Sequence, residues 1–286
     1  MRVVLTCMAP LAHGSFGESA GNTTLIRRMA IVSLPGMPRV PVVSGNALRG
    51  VLRRLVMRDL FEAAGASRVT VGEGWDRLYA SMANGGHLDG SESTVNPDRI
   101  RELRAACPPL SVFGAALYSS FLTGHMTVGF LWPHCQETVA AGLVEERPGA
   151  VYLPAEDLVE EVSHVRHVDR EEQDPAVSGV TPMPTTVEVL ATGTVLESEI
   201  TFARHATEIE QQVVAHGLLL LQTLGGQAAK GLGVVALDTP PGPTEEYLAW
   251  RYEHAAASIE AVRTLLAPRE KPAKKAKAPK SEPVSA

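Results

Sequence analysis

Apolar residues recur along the chain at two different spacings. From Ser44 to Asp59 the sequence reads SGNALRGVLRRLVMRD, and Leu48, Val51, Leu52, Leu55 and Val56 fall at i, i+3, i+4, i+7 and i+8. That period predicts an amphipathic helix with one core-facing stripe and Ser44 as its N-cap. A second helix is predicted from about Thr207 to Thr223, with Ile209, Val213, Gly217, Leu220, Leu221 and Leu224 on one side. The other spacing is two, the period of strands. VVLTCM near the N-terminus and HMTVGFLW, Met126 to Trp132, read as strands, and VSHVRHVDR, Val162 to Arg170, alternates apolar with polar residues. TTVEVLATGTVLESEITFA reads as a hairpin turning at Ala191 to Gly193, and a last strand follows the loop GGQAAKGLG.

Two stretches interrupt this order. Ala9 to Arg39 is a long segment rich in Gly, Ser, Pro and Asn, and residues 66–109 mix turn signals with a short helical piece in the manner of an insertion. With these set aside, the order is strand, helix, strand, strand, helix, strand. The predicted class is α+β with a ferredoxin-like core, the topology also used by RNA-recognition motifs.

A length of 286 residues suits one elaborated domain or two small ones. No apolar run is long enough for a membrane span, and MRVVLTCMAPLAHG has too short an apolar stretch for a secretory signal, so a cytoplasmic location is expected. Cys7, Cys107 and Cys135 are odd in number and widely spaced, which predicts reduced core thiols and neither a disulfide framework nor a zinc module. His134 and Cys135 are adjacent and so poorly spaced as metal ligands, and no cofactor is expected. His13 and Ser15 lie in HGSFG, which is not a Gly-x-Ser-x-Gly elbow.

The net charge of −6 conceals an asymmetry. Residues 1–60 hold eight arginines against Glu18 and Asp59, a surplus of +6; the tail from Pro268 carries +4, and the stretch between carries −16. A basic N-terminal region facing an anion is compatible with an acidic whole. On the first helix, at 100° per residue, Asn46, Arg49 and Arg53 cluster within about 60° beside the apolar stripe, with Arg54 and Arg58 on its other flank. The Asn46-Arg49-Arg53 ladder has rungs of roughly 5–6 Å, close to the spacing of phosphates along an extended strand. It reads either as a solvated helix edge or as an anion site, and the lack of any acid before Asp59 favours the anion. Gly225, Gly226, Gly231 and Gly233 around Lys230 read either as turn chemistry or as a backbone N–H cradle for a second anion. The P-loop order is absent there.

These residues carry a family resemblance. VPVVSGNALRGVLRRL resembles the helix start, and LGGQAAKGLGVV the terminal Gly-rich loop, of the RAMP superfamily of CRISPR-associated proteins; LSVFGAA followed by HMTVGFLW is similar to the Leu-Phe-Gly segment and next strand of its backbone subunits. The three motifs lie in the same order from Pro41 to Val235. The resemblance implies a hand-shaped subunit: a palm (1–65, 110–162 and 186–267), a finger insertion (66–109), a thumb β-hairpin (163–185), then a disordered basic tail (268–286). Such subunits polymerise along a CRISPR guide RNA beside other effector-complex subunits and meet target nucleic acid through guide pairing.

Carried over, Ser44, Asn46, Arg49 and Arg53 fall on the phosphate-contacting helix, and Gly225, Gly226, Lys230 and Gly231 on the loop beside it. His13, Arg27 and Arg28 fall near the RNA path, and His164, Arg166, His167, Arg170 and Met183 on the thumb. Type III backbone subunits cut target RNA with an aspartate after the first strand. Here the only acid from Ala9 to Val43 is Glu18, with Asn22 nearest the expected place. An amide neither binds metal well nor activates a 2′-OH, so a non-cleaving subunit nearer to type I or type IV is expected. The alternative is a guide-processing endoribonuclease on the same fold, with His13 or His167 as general base.

Overall fold

The computed structural model describes residues 1–88, 97–118, 120–165, 184–238 and 242–266. From the N-terminus come strands β1 (Arg2–Cys7), β2 (Leu11–Ala12), β3 (Gly14–Ala20), β4 (Thr23–Ile26), β5 (Arg28–Ala30) and β6 (Arg39–Pro41). Helices α1 (Gly45–Ala63), α2 (Arg68–Val71) and α3 (Trp75–Ala83) lead to β7 (Gly86–Leu88), and α4 (Pro97–Ala106) and α5 (Pro108–Phe113) to β8 (Ala115–Tyr118) and β9 (Ser120–Leu122). Then come β10 (Met126–Val128), β11 (Trp132–Pro133), α6 (Gln136–Ala140), β12 (Val159–His164), β13 (Thr185–Leu190) and β14 (Val195–Phe202). Helix α7 (Glu208–Leu219), β15 (Val235–Leu237) and α8 (Glu245–Leu266) complete the order.

The fold is α+β with antiparallel sheets at its centre. The main sheet has the order β10-β14-β1-β15, each pair antiparallel, and β11 extends β10 along β14. The predicted strand from Met126 to Trp132 is therefore two pieces. Val128 pairs with Ile200 and Trp132 with Glu197, so four steps on one strand oppose three on the other, and the extra residue is a bulge next to Gly129. Alternation along β1 turns Val3, Leu5 and Cys7 inward, where they meet Leu196 and Ile200 of β14 and the apolar stripes of α1 and α7 in one core. A Cβ on Gly217 would sit 2.9 Å from Val56, so glycine there lets α7 lie close on α1. Helix α8 packs on α1 next to α7, and Asp59 of α1 accepts two hydrogen bonds from Arg251 of α8 at 2.6 Å and one from His216 of α7 at 3.0 Å.

A second sheet has the order β12-β13-β4-β3, with β2 also on β13. It overturns the predicted hairpin. The turn at Ala191 to Gly193 exists, with Gly193 at φ +88°, but β13 pairs with β12 and β4 while β14 pairs with β1. Alternation shows that a segment is a strand without naming its neighbour. Val187 and Val189 bury in a small separate core with Ala12 and Leu232, whereas Leu196 and Ile200 join the main one. Strands β12 and β13 pair out to His164 and Thr185, so the chain leaves and re-enters this sheet at one place. None of the described residues of 66–109 joins the main sheet, but Leu78, Met82 and Leu103 bury in the main core.

Cys7, Cys107 and Cys135 are buried free thiols. Burial pushes Cys7 and Cys107 up to about 12, so both are unreactive at neutral pH. Among the described residues no helix is long and apolar enough to cross a membrane.

Candidate nucleic-acid interface

Helix α1 carries its arginines in two settings. Arg54 and Arg58 are exposed, whereas Arg49 and Arg53 are half-buried against the segment that ends α5. Arg49 Nη2 donates to the Phe113 carbonyl at 2.5 Å; Arg53 Nη2 donates to the same oxygen at 2.5 Å and to Gly114 O at 2.6 Å. The guanidinium of Arg53 also lies 5.8 Å from the Phe113 ring centre.

Glycines make the room. A Cβ on Gly85 would come within 2.1 Å of Arg53 Nη1, and one on Gly124 within 2.6 Å of Arg49 Nη2. The two guanidinium groups line an open groove of about 470 Å³ with Asn46, Gly124 and the 70% exposed ring of Phe121. Among the described residues no carboxylate pairs with either arginine, and the Nε of each is buried without a partner. Burial, then the neighbouring Arg49, pulls Arg53 down to about 10; burial also lowers Arg49. Both remain cationic at neutral pH. Among the described residues nothing neutralises this pair, so the groove is a concentrated positive site open to an outside anion.

The other expected residues are placed differently. Ser44 occupies the N-cap position with extended backbone, yet its side chain makes no capping bond. Instead the Ser44 amide donates to His13 Nε2 at 3.1 Å, which fixes that nitrogen as an acceptor and the ring as neutral. Burial, then Arg27, lowers the pKa of His13. Gly45 is obligatory because a Cβ would lie 2.1 Å from Val128 O. Arg28 is not a free cation: it grips Glu188 at 2.7 and 3.2 Å. Burial raises the pKa of Glu188, but the bonds from Arg28 and the Ile26 amide outweigh that and hold it low.

Several amides of the Gly-rich loop are taken up within the protein. Gly226 N–H donates to Ala12 O, Lys230 N–H to Gln227 O and Gly231 N–H to Ala228 O, so all three are satisfied internally. Gly225 and Gly233 serve close packing: at φ +87° and +78° their Cβ atoms would lie 2.4 Å from Ala12 O and 2.1 Å from Leu224 O. Lys230 stands exposed on a short turn, so any anion there meets its side chain. Ala12 bonds to this loop and His13 to the start of α1, which joins the two motifs through β2.

His164 ends β12 with its Nε2 buried and unpartnered. Arg166, His167, Arg170 and Met183, with most of the expected thumb and the basic tail, lie outside the described residues. Asn22 lies in the exposed turn between β3 and β4, its carbonyl accepting from the Thr186 amide. Sequence reasoning missed Phe121, Gly85 and Gly124; only the Phe-Gly of LSVFGAA pointed to this place.

What the fold and site define is an α+β protein with a solvent-open arginine pair that no described carboxylate neutralises. No protein-family model matches the chain, and no curated protein does. A chain of a solved Type IV-B CRISPR complex shares the fold: TM-score 0.56 at 20% identity, covering 87% of this chain and 97% of that one. Csc2 of Thermofilum pendens aligns at TM-score 0.40 and 19% identity, over 93% of this chain and 74% of that one.

Proposed function

We propose that the chain is a RAMP-superfamily, guide-RNA-binding backbone subunit of a multi-subunit CRISPR ribonucleoprotein, of type IV. The observation that carries this reading is the Arg49/Arg53 pair on one carbonyl, with no acid beside it among the described residues and an exposed aromatic ring across the groove. Phosphate meets the charge, and a base stacks on the ring. The shared fold with a CRISPR-complex chain supports the reading.

In this view β1, α1, β10 with β11, β14, α7 and β15 are a ferredoxin-like palm, and β12 and β13 are the base of the thumb. Copies polymerise along the guide, which pairs with its target. The subunit does not cut, because Asn22 stands where a carboxylate would be needed. As a general base, His13 would first have to release the Ser44 amide.

The test is binding of single-stranded RNA by the purified protein. Arg49→Glu abolishes retention, whereas Arg58→Glu, on the exposed flank, weakens it only through long-range charge. Equal loss in both sinks the groove as the binding site. Incubation with guide and matching RNA in Mg²⁺ leaves the target intact; periodic cuts would overturn the non-cleaving assignment.

A further inference from the structure

At the end of β10 next to the groove, three titratable side chains form a line that the proposed function does not use. His125 is 8% exposed and Glu210 is 2% exposed. His125 Nδ1 lies 3.0 Å from both Glu210 oxygens, and its Nε2 lies 3.0 Å from Nε2 of the exposed His205. The two imidazoles meet edge to face, 85° apart.

Each part is held in place. Glu210 is the third residue of α7 and accepts the Thr207 amide at 2.8 Å in a capping box. The main chain of His125 is tied on both sides, its N–H to Ser111 O and its carbonyl to the Ala203 amide. A carboxylate on Nδ1 fixes the proton there and turns the Nε2 lone pair outward, toward His205.

From this geometry we infer that His125 and His205 are the protein ligands of a borderline divalent transition metal, Zn²⁺, Co²⁺ or Ni²⁺, bound through both Nε2 atoms. Two metal–nitrogen bonds of about 2.1 Å at angles near 90–110° hold their nitrogens roughly 3.0–3.4 Å apart. The observed 3.0 Å falls within that span. Glu210 on the far nitrogen of His125 completes a carboxylate–histidine–metal line, the usual outer support of a ligating imidazole. Among the described residues no group of three or more His, Cys, Asp or Glu side chains is placed to hold a metal, so the described chain supplies two ligands, the two imidazoles. Two imidazoles without thiolate or carboxylate ligands select Zn²⁺, Co²⁺ and Ni²⁺ over Mg²⁺ and Ca²⁺. Binding would fasten the Ala203–Ala206 turn to β10, whose preceding Gly124 lies under Arg49.

The competing account of the 3.0 Å contact is a single proton shared by the two rings, and titration separates the two. Untagged full-length protein stripped with chelator is titrated with Zn²⁺ and Co²⁺ by calorimetry and visible absorption. The expected result is one saturable site per chain, weakened at least tenfold in His205→Ala, unchanged in His254→Ala, and not displaced by millimolar Mg²⁺. His205 is exposed, so its variant folds; circular dichroism verifies this, and His125→Gln, if folded, shows the same loss. Absence of saturable binding, or binding unaffected by His205→Ala, overturns the inference.

Discussion

Arg49 and Arg53, one helical turn apart, bring their guanidinium groups to a single acceptor, the carbonyl oxygen of Phe113. Two half-buried like charges on one neutral oxygen work against folding and for an anionic ligand. Arg53→Met therefore leaves the melting temperature of the free protein unchanged or raises it, while RNA affinity falls at least tenfold. The slope of log K against log salt becomes shallower by about 0.7 for the lost phosphate contact. A large drop in melting temperature would show that the pair serves stability instead.

Phe121 has a second role open to it because its ring buries little. Phe121→Ala should change stability by less than about 0.5 kcal/mol, as at other exposed positions. Loss of one stacking contact should weaken binding of single-stranded RNA roughly tenfold, with no change in the salt slope. Filter binding at two salt concentrations reads both, and unaltered affinity would remove the ring from the interface.

The burial of His13, and then the charge of Arg27 beside it, make the fold sensitive to acid. Folding lowers the pKa of His13 below 6.5, so the unfolded chain binds the proton more readily and stability is fully present above that pH. As pH falls below 6.5 stability declines. His134, lowered by burial despite its bond to Glu197, adds in the same direction. His13→Gln keeps an acceptor but does not titrate, so melts between pH 8 and 5 should show a flatter, not a flat, dependence. An unchanged slope would mean that His13 is not the group responsible.

Glycines of the terminal loop separate into two kinds. Gly233→Ala combines left-handed strain with a Cβ 2.1 Å from Leu224 O and should cost about 2–5 kcal/mol. Gly231, at φ +81° with nothing within 4 Å, should lose only about 1–2 kcal/mol on the same change, from strain alone. Urea melts of the two variants read the difference, and equal losses would contradict it.

Helix α1 was legible because five apolar positions at a 3.6-residue period leave little choice of face, and that same period separates Arg49 and Arg53 from Arg54 and Arg58. Their shared acceptor was not legible: Phe113 lies 64 positions from Arg49, and helical period says nothing about which backbone will face a side chain. Gly85 and Gly124 escaped for the same reason, each defined by an arginine from a distant segment. In the terminal loop composition left two readings open, since glycine fits close backbone packing as well as it fits an anion. The parting of β13 from β14 was hidden because a period of two shows a strand and not its neighbour.

The position of β1 between β14 and β15 governs when the main sheet can assemble. The Met1 ammonium bonds to Ile200 O across 199 positions, and the other neighbour lies farther still along the chain. At about 5–20 residues per second, a ribosome needs roughly 10–40 s to deliver that partner. Through that interval Val3, Leu5 and Cys7 have no sheet to enter, while α1 has all the residues of its own turns. β1 is thus made long before it is paired, and its apolar face needs shielding on the nascent chain until β14 emerges.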